Sequence, residues 1–377
     1  MALKRVLNVV GARPNFMKIA PITEAMTASG VFEPILVHTG QHYDEKMARV
    51  FFDELGIPKP DIDLEVGSAS HAVQTAEIMV RFERVVLEQE PDLVLVVGDV
   101  NSTVAAALVA KKLDVDVAHV EAGLRSFDRK MPEELNRIVT DALSDYLFVT
   151  ESSGLANLAR EGVAPEKVYF VGNVMIDTLY RMRPRFEASD ALERFDLDPG
   201  SFAVLTLHRP SNVDVRETFE RILGALEEIQ RRIEIVFPIH PRTRKRIEEF
   251  GLGGRVAAMK GLKLLDPLGY LDFMKLVASS RLIMTDSGGI QEETSALGLP
   301  CLTLRENTER PSTVERGTNE LVGTDPARIV ELAIAAVEGR YKKGGPLELQ
   351  DGKAAERIAA VLAGDEAVVA AARAGAH

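Results

Sequence analysis

Residues 281–298 read "RLIMTDSGGIQEETSALG". Leu282, Ile283 and Met284 form a short apolar run that ends at Thr285-Asp286. Ser287-Gly288-Gly289 then turns the chain, and the residues that follow suit a helix. A strand, a glycine turn and a helix in succession is the repeating unit of a parallel α/β sheet. The same turn offers free backbone amides and a positive helix end to an anion, and the glycines let a ligand come close to the backbone. The competing reading is plain helix capping by Asp286 or Ser287, with Glu292 and Glu293 complementing the helix dipole. Capping alone does not call for two glycines.

The alternation continues on both sides of this stretch. Strands are predicted at 5–11, 33–40, 92–99, 116–123, 146–150 and 168–173, and again at 202–208, 233–240, 262–267, 281–288, 300–305 and 319–323, separated by amphipathic stretches. Two successive six-strand sets predict two Rossmann-like domains, residues 1–174 and 175–354. Residues 184–201 have linker composition, and the alanine-rich tail from Ala363 reads as a fraying end. A length of 377 residues fits two domains of about 150–190 residues each.

Composition narrows the function. With 46% hydrophobic residues the chain can fill two cores, yet its longest apolar runs fall far short of the roughly 20 residues that span a bilayer. No membrane is expected as a partner, and the N-terminus reads as a first strand, so a cytoplasmic protein is expected. Cys301 is the single cysteine, which excludes an internal disulfide and a multi-cysteine metal site; within "LPCLTLR" it suits a buried strand. The formal charge of −12 argues against nucleic acid as a partner.

In open α/β sheets ligands bind outside the carboxyl ends of strands, and the polar clusters here fall there. They are "GARPN" (11–15), "GQHYD" (40–44), "GDVNST" (98–103), "HVEAGLR" (119–125), "HRPSN" (208–212), "HPRTR" (240–244) and "DSGGIQEE" (286–293). Arg13, Lys18, Arg125 and Arg310 would make an electropositive cleft suited to a diphosphate, although each alone suits a solvated surface charge. Asp99, Glu121 and Glu133 would supply acid, base and hydroxyl-orienting groups. Each also has a structural alternative: a helix cap for Asp99, an ion pair with Arg125 or a neighbour for Glu121, and a helix N-terminal charge for Glu133. His208 and His240 sit at strand ends beside Arg209 and Arg242, which favours anion contact; no metal-ligand spacing occurs and no metal is expected.

Read together, "GARPNFMK", "GQHYD", "GDVNST", "HVEAGLRS", "PEELNR", "HRPSN", "TDSGGIQEE", "LGLPCLTLRENTERP" and "ERGTN" closely resemble the non-hydrolysing UDP-N-acetylglucosamine 2-epimerases, over about residues 5–360. The resemblance implies a glycosyltransferase B-type fold, two Rossmann-like domains facing a cleft, with a C-terminal helix, about 355–377, packing back on the first domain. It implies Ser287, Gly288 and Gly289 at the diphosphate, Glu293 on the ribose hydroxyls and Phe273 near uracil. Arg13, Lys18, His208 and Arg310 would meet the phosphates or sugar, His208 counting with Asp99, Glu121 and Glu133 as the catalytic set. It implies no cofactor, a small-molecule UDP-sugar as ligand and a homodimer. "GQHYDEK" departs from the pattern: Gln41 is kept, but Asp44 stands where many members have a second glutamine, and "GSASHAVQTA" lacks their arginine. Activation by a second substrate molecule is therefore not expected. A glycosyltransferase of the same fold would share "DSGGIQEE" but has no need of three first-domain acids. An epimerase for a C3-modified UDP-N-acetylhexosamine is the nearer alternative.

Overall fold

The computed structural model describes residues 3–40, 56 and 59–375; Gln41 and Asp44 lie outside the described residues. The chain divides into two compact units, Met1–Arg181 with Glu348–His377, and Met182–Leu347. The division runs within the helix Val174–Glu187 rather than at its start.

The first unit holds β1 (Lys4–Val10), β2 (Phe32–His38), β3 (Ile62–Asp63), β4 (Leu93–Val97), β5 (Asp116–Ala122), β6 (Tyr146–Val149) and β7 (Val168–Phe170). They pair in the order β3-β2-β1-β4-β5-β6-β7, every pair parallel. β4 is "LVLVV" with every residue buried, as expected where helices cover both faces of a sheet. Phe82, Val85 and Val86 of the helix His71–Gln89 pack with Val37, Val94 and Val96. Burying each such side chain is worth about 1.5–3 kcal/mol.

The second unit repeats the plan with β8 (Phe202–Thr206), β9 (Glu234–Pro238), β10 (Leu262–Leu265), β11 (Leu282–Thr285), β12 (Cys301–Thr303) and β13 (Asn319–Leu321). Their order is β10-β9-β8-β11-β12-β13, again all parallel. Phe219, Ile222, Leu226 and Ile229 of the helix Arg216–Ile229 close one face against Leu205, Ile235 and Phe237. Strand order reverses between β1 and β4 in one unit and between β8 and β11 in the other, the places where such sheets open to ligands.

All twelve predicted strands are present. β3 is a thirteenth: two residues, Val37↔Ile62 and His38↔Asp63, are too few to leave a periodic signal. Residues 184–201 are more than a linker. The helix continues through Pro184 to Glu187, a short helix follows at Ala191–Arg194, and Asp272 accepts from Ser189 and pairs with Arg194. Phe186, Ala191 and Leu197 are buried. The tail is helical over Glu366–Ala374, because Asp365 caps it through the amides of Ala367 and Val368. Before it, the helix Ala354–Ala363 begins on Asp177, whose carboxylate accepts from the Ala354 and Ala355 amides; burial pushes this carboxyl up to about 6. Among the described residues no helix is long and apolar enough to cross a membrane.

Gly123 and Gly162 both have positive φ, +78 and +76°, but differ in surroundings. A Cβ on Gly123 would lie 2.5 Å from the Gly154 carbonyl oxygen, whereas one on Gly162 would meet nothing within 4 Å. Gly162→Ala should lose about 1 kcal/mol through backbone strain alone. Gly123→Ala adds a backbone clash and should lose roughly 3 kcal/mol or more. Denaturant midpoints of the two variants measure the difference; equal losses would show that the crowding is harmless.

Candidate active site

In the first unit the β1 and β4 ends are tied by Asn15. Its side chain accepts from the Ala12 amide at 3.0 Å and donates to the Val97 carbonyl at 3.0 Å. Arg13 opens the helix Arg13–Ser29. One turn further along, Lys18 is buried and forms a close ion pair with Glu121. Glu121 stands at the end of β5 with φ of +74°, a left-handed conformation that L side chains rarely adopt. The β5–β6 register shifts there, between Val120 and Ala122. A bulge of this kind re-aims a side chain that strict alternation would point elsewhere. Gly98 lies against the result: a Cβ on it would stand 3.2, 3.4 and 3.5 Å from Asn15, Glu121 and Lys18.

Asp99 follows Gly98. It does not cap the helix Asn101–Lys112; its carboxylate is in close contact with Arg137, and its side chain stays 30% exposed. Asn136 donates to the Asp99 carbonyl at 2.9 Å. Arg137 also pairs with Glu134, and Glu134 accepts from the Ser126 amide, the Ser126 hydroxyl and the Phe127 amide. Of the adjacent acids in "PEELNR", the buried one is therefore Glu134, while Glu133 is exposed on the first turn of the helix Pro132–Leu143. Arg125 is taken up elsewhere, between Asp141 and Glu161, so it is not one of the cations beside Glu121. Asn15, Asn136 and Arg137 escaped the sequence reading, although all three lie inside motifs quoted above. Helical spacing in "PEELNR", with Glu134 and Arg137 three apart, was the available signal.

In the second unit the β8 and β11 ends meet through Asp286. This fully buried carboxylate accepts from the His208 and Arg209 amides at 2.9 and 2.8 Å and from Asn212 at 3.2 Å, with the His208 Nδ1 at 3.1 Å. Burial alone would raise its pKa; the His208 ring and these amides outweigh burial and hold it below the usual carboxylate range. Asp286 thus braces the His208 turn instead of capping its own helix. Ser287 occupies the N-cap of the helix Gly288–Leu297 without a side-chain cap, and Gly289 borders open space. The helix start keeps the amides that an anion would use.

Arg310 lies over that turn, with its Nη1 3.2 Å from where a Cβ of Gly288 would be, held by Glu292 at 2.7 Å. Glu293 sits one turn deeper and accepts from the Tyr270 hydroxyl at 3.1 Å. Burial, only partly offset by that hydrogen bond, raises the Glu293 carboxyl to about 7. Phe273 is half-buried on the same helix as Tyr270, Tyr270–Ser279. The His208 and His240 rings are 5.4 Å apart. His240 accepts from the Arg242 amide, and burial, then His208 and Arg242, lower its pKa. Tyr270 was missed, although "GYLDF" carries it. Among the described residues no three His, Cys, Asp or Glu side chains gather as a metal site.

The family model described as UDP-N-acetylglucosamine 2-epimerase matches residues 24–363. The chain belongs to this family. It is 42% identical over 360 residues to the UDP-N-acetylglucosamine 2-epimerase of Methanocaldococcus jannaschii, covering 94% of this chain and 97% of that one. It is 41% identical over 362 residues to the UDP-2,3-diacetamido-2,3-dideoxy-D-glucuronate 2-epimerase of Pseudomonas aeruginosa, covering 95% and 99%. The crystal structure of the M. jannaschii UDP-GlcNAc 2-epimerase in complex with UDP-GlcNAc and UDP superposes with a TM-score of 0.86, covering 95% of this chain and 99% of that one. These epimerases of glycosyltransferase B-type fold share the two parallel sheets described above.

The raised Glu293 carboxyl of this epimerase-family chain makes stability depend on pH. With the folded value near 7 and the unfolded one near 4.5, the folded state binds the extra proton between them. Stability should then fall as pH rises from 4.5 to 7 and level off above, by on the order of 3 kcal/mol. Glu293→Gln should flatten that slope in denaturation curves taken across the window. An unchanged slope would mean that Glu293 is ionised in the folded protein.

Proposed function

We propose that this chain inverts C2 of a UDP-2-acetamidohexose, interconverting UDP-N-acetylglucosamine and UDP-N-acetylmannosamine. The C2 hydrogen of such a sugar is not next to a carbonyl, so deprotonation alone would leave an unstabilised carbanion. Elimination avoids it. A base takes the C2 proton, its electron pair forms the C1=C2 bond, and UDP leaves C1 with the C1–O pair, giving 2-acetamidoglucal. UDP then adds back to C1 while C2 is protonated on the other face. The chemistry needs acid–base groups at C2 and a firm hold on a diphosphate, and no redox cofactor.

The buried Glu121–Lys18 pair beside Gly98 carries this reading. An enzyme that only holds a nucleotide gains nothing from setting a carboxylate at a bulged, left-handed strand end against an ammonium group. Asp99, oriented by Arg137, and the exposed Glu133 complete the acids of the first unit. In the second unit Ser287, Gly288 and Gly289 would receive the diphosphate at the helix start, the two glycines through backbone amides, with Arg310 and His208 beside them, Glu293 on the ribose diol and Phe273 near uracil. Arg13 and Lys18 would serve the phosphates or sugar from the first unit. The P. aeruginosa relative, nearly as similar as the archaeal one, supports a second reading in which the sugar carries a C3 substituent. The reaction is the same in both.

Incubation with UDP-N-acetylglucosamine in heavy water, followed by proton NMR, should place deuterium at C2 and yield the manno epimer without any acceptor. No exchange with that sugar, but exchange with the 2,3-diacetamido uronate, would select the second reading. No exchange with either would sink both. Glu121→Gln should lower exchange at least about 100-fold while UDP still binds. Loss of both would make Glu121 a structural residue.

A cytoplasmic location is proposed on the acidic, single-cysteine composition. A homodimer is proposed on an apolar stripe: Val73, Val80 and Leu87, each more than half exposed, recur every seven residues along the helix His71–Gln89. Leu135 and Val139 are exposed one turn apart on the helix Pro132–Leu143. Light scattering should give twice the chain mass, reduced to one chain by Val80→Asp with Leu135→Asp. A monomeric wild type would refute the dimer.

A further inference from the structure

We propose that His119 is a positioning residue: its ring fastens the peptide before Asp99 to the peptide after Glu121 by way of Asp141. The proposal rests on the epimerase reading for what the two acids do, but not for the geometry.

His119 lies on β5, two residues before Glu121, and is completely buried. Its Nε2 is 2.8 Å from the Gly98 carbonyl oxygen and its Nδ1 is 2.6 Å from a carboxylate oxygen of Asp141. The Gly98 carbonyl can only accept, so Nε2 donates to it. Burial would raise the Asp141 pKa, but His119 and Arg125 together outweigh burial and lower it. The ring thus has a polar partner at each nitrogen, as a fully buried imidazole requires. The second Asp141 oxygen accepts from the Gly123 amide at 3.0 Å and pairs with Arg125 at 2.7 Å; Arg125 in turn pairs with Glu161. His119, Asp141 and Arg125 are buried, while Glu161 reaches solvent.

Both ends of the clasp are turn peptides. Gly98 has φ of +70° and its amide donates to the Val120 carbonyl, so β5 holds this peptide by its N–H and, through His119, by its C=O. Gly123 has φ of +78° and lies two residues after Glu121, whose φ is +74°. Asp99 hangs from the first peptide and Glu121 from the backbone just before the second. One imidazole ring and one carboxylate thus set the relative position of two acids 22 residues apart in sequence. A shift of about 1 Å in such a group is enough to lower a rate roughly 100-fold.

The full-length protein, with its seven histidines labelled with nitrogen-15 in the ring, tests the proposal directly. The His119 signal, assigned by its loss in His119→Phe, should show a ring N–H protected from exchange with solvent; a freely exchanging ring would overturn the proposal. For function, His119→Phe removes both hydrogen bonds, and His119→Gln retains a donor for only one end. Each should lower C2 deuterium incorporation at saturating substrate at least about 100-fold, with KM and UDP affinity within about 3-fold of wild type. Wild-type rates, or losses that follow UDP affinity or melting temperature, would reduce His119 to a structural residue. If His119→Phe does not fold, His119→Gln and the ring spectrum still decide. A wild type that incorporates no deuterium refutes the epimerase reading, while the ring spectrum continues to judge the clasp.

Discussion

Parallel pairing is the constraint on which the rest of this protein depends. Every strand pair in both sheets is parallel, so within each unit the carboxyl ends of the strands lie along one edge. The chain must leave each strand end by a turn into a helix, and those turns carry the polar motifs. Where strand order reverses, between β1 and β4 and between β8 and β11, successive helices depart to opposite faces and the turns are left uncovered. Glu121, Lys18, Gly98 and Asp99 occupy one such place, and His208, Asp286 and Ser287 the other.

Buried charge does the fine work at those edges. Three carboxylates, Glu134, Asp141 and Asp286, are almost wholly buried, and each accepts from several donors that include backbone amides of neighbouring turns. An ionised group in such surroundings is tolerable only with full hydrogen bonding. That requirement makes each of them a fixed point for a loop. The acids proposed for chemistry differ: Asp99 and Glu133 reach solvent, and Glu121 pairs with the Lys18 ammonium group. The turn-bracing carboxylates are thus separated from Asp99 and Glu133 by burial.

Much of the fold was legible because buried strands leave continuous apolar runs and helices leave periodic ones. β3 was not, since two paired residues have no period. The segment after Pro184 read as a linker because its composition is polar, yet Asp272 holds Ser189 and Arg194 from a distance in sequence. At the candidate site, the motifs marked the turns at the strand ends but not which side chains meet there. Glu133 and Glu134 are adjacent and chemically identical, and only the helix orientation buries the second. Arg125 read as a cation for the ligand, but Asp141 and Glu161 claim it.

The sequence by itself determined two parallel α/β units, the polar motifs at their strand ends, and the family, because hydrophobic period and ordered motifs are local properties of the chain. Tertiary structure alone decided that Lys18 is the partner of Glu121, that Asp286 braces the His208 turn and that Tyr270 meets Glu293. It also decided the bulge that turns Glu121 out of its strand and the His119–Asp141 contact behind it. These are meetings of residues 22 to 103 positions apart, set by strand order and burial, and no local pattern in the chain encodes a distance across a sheet.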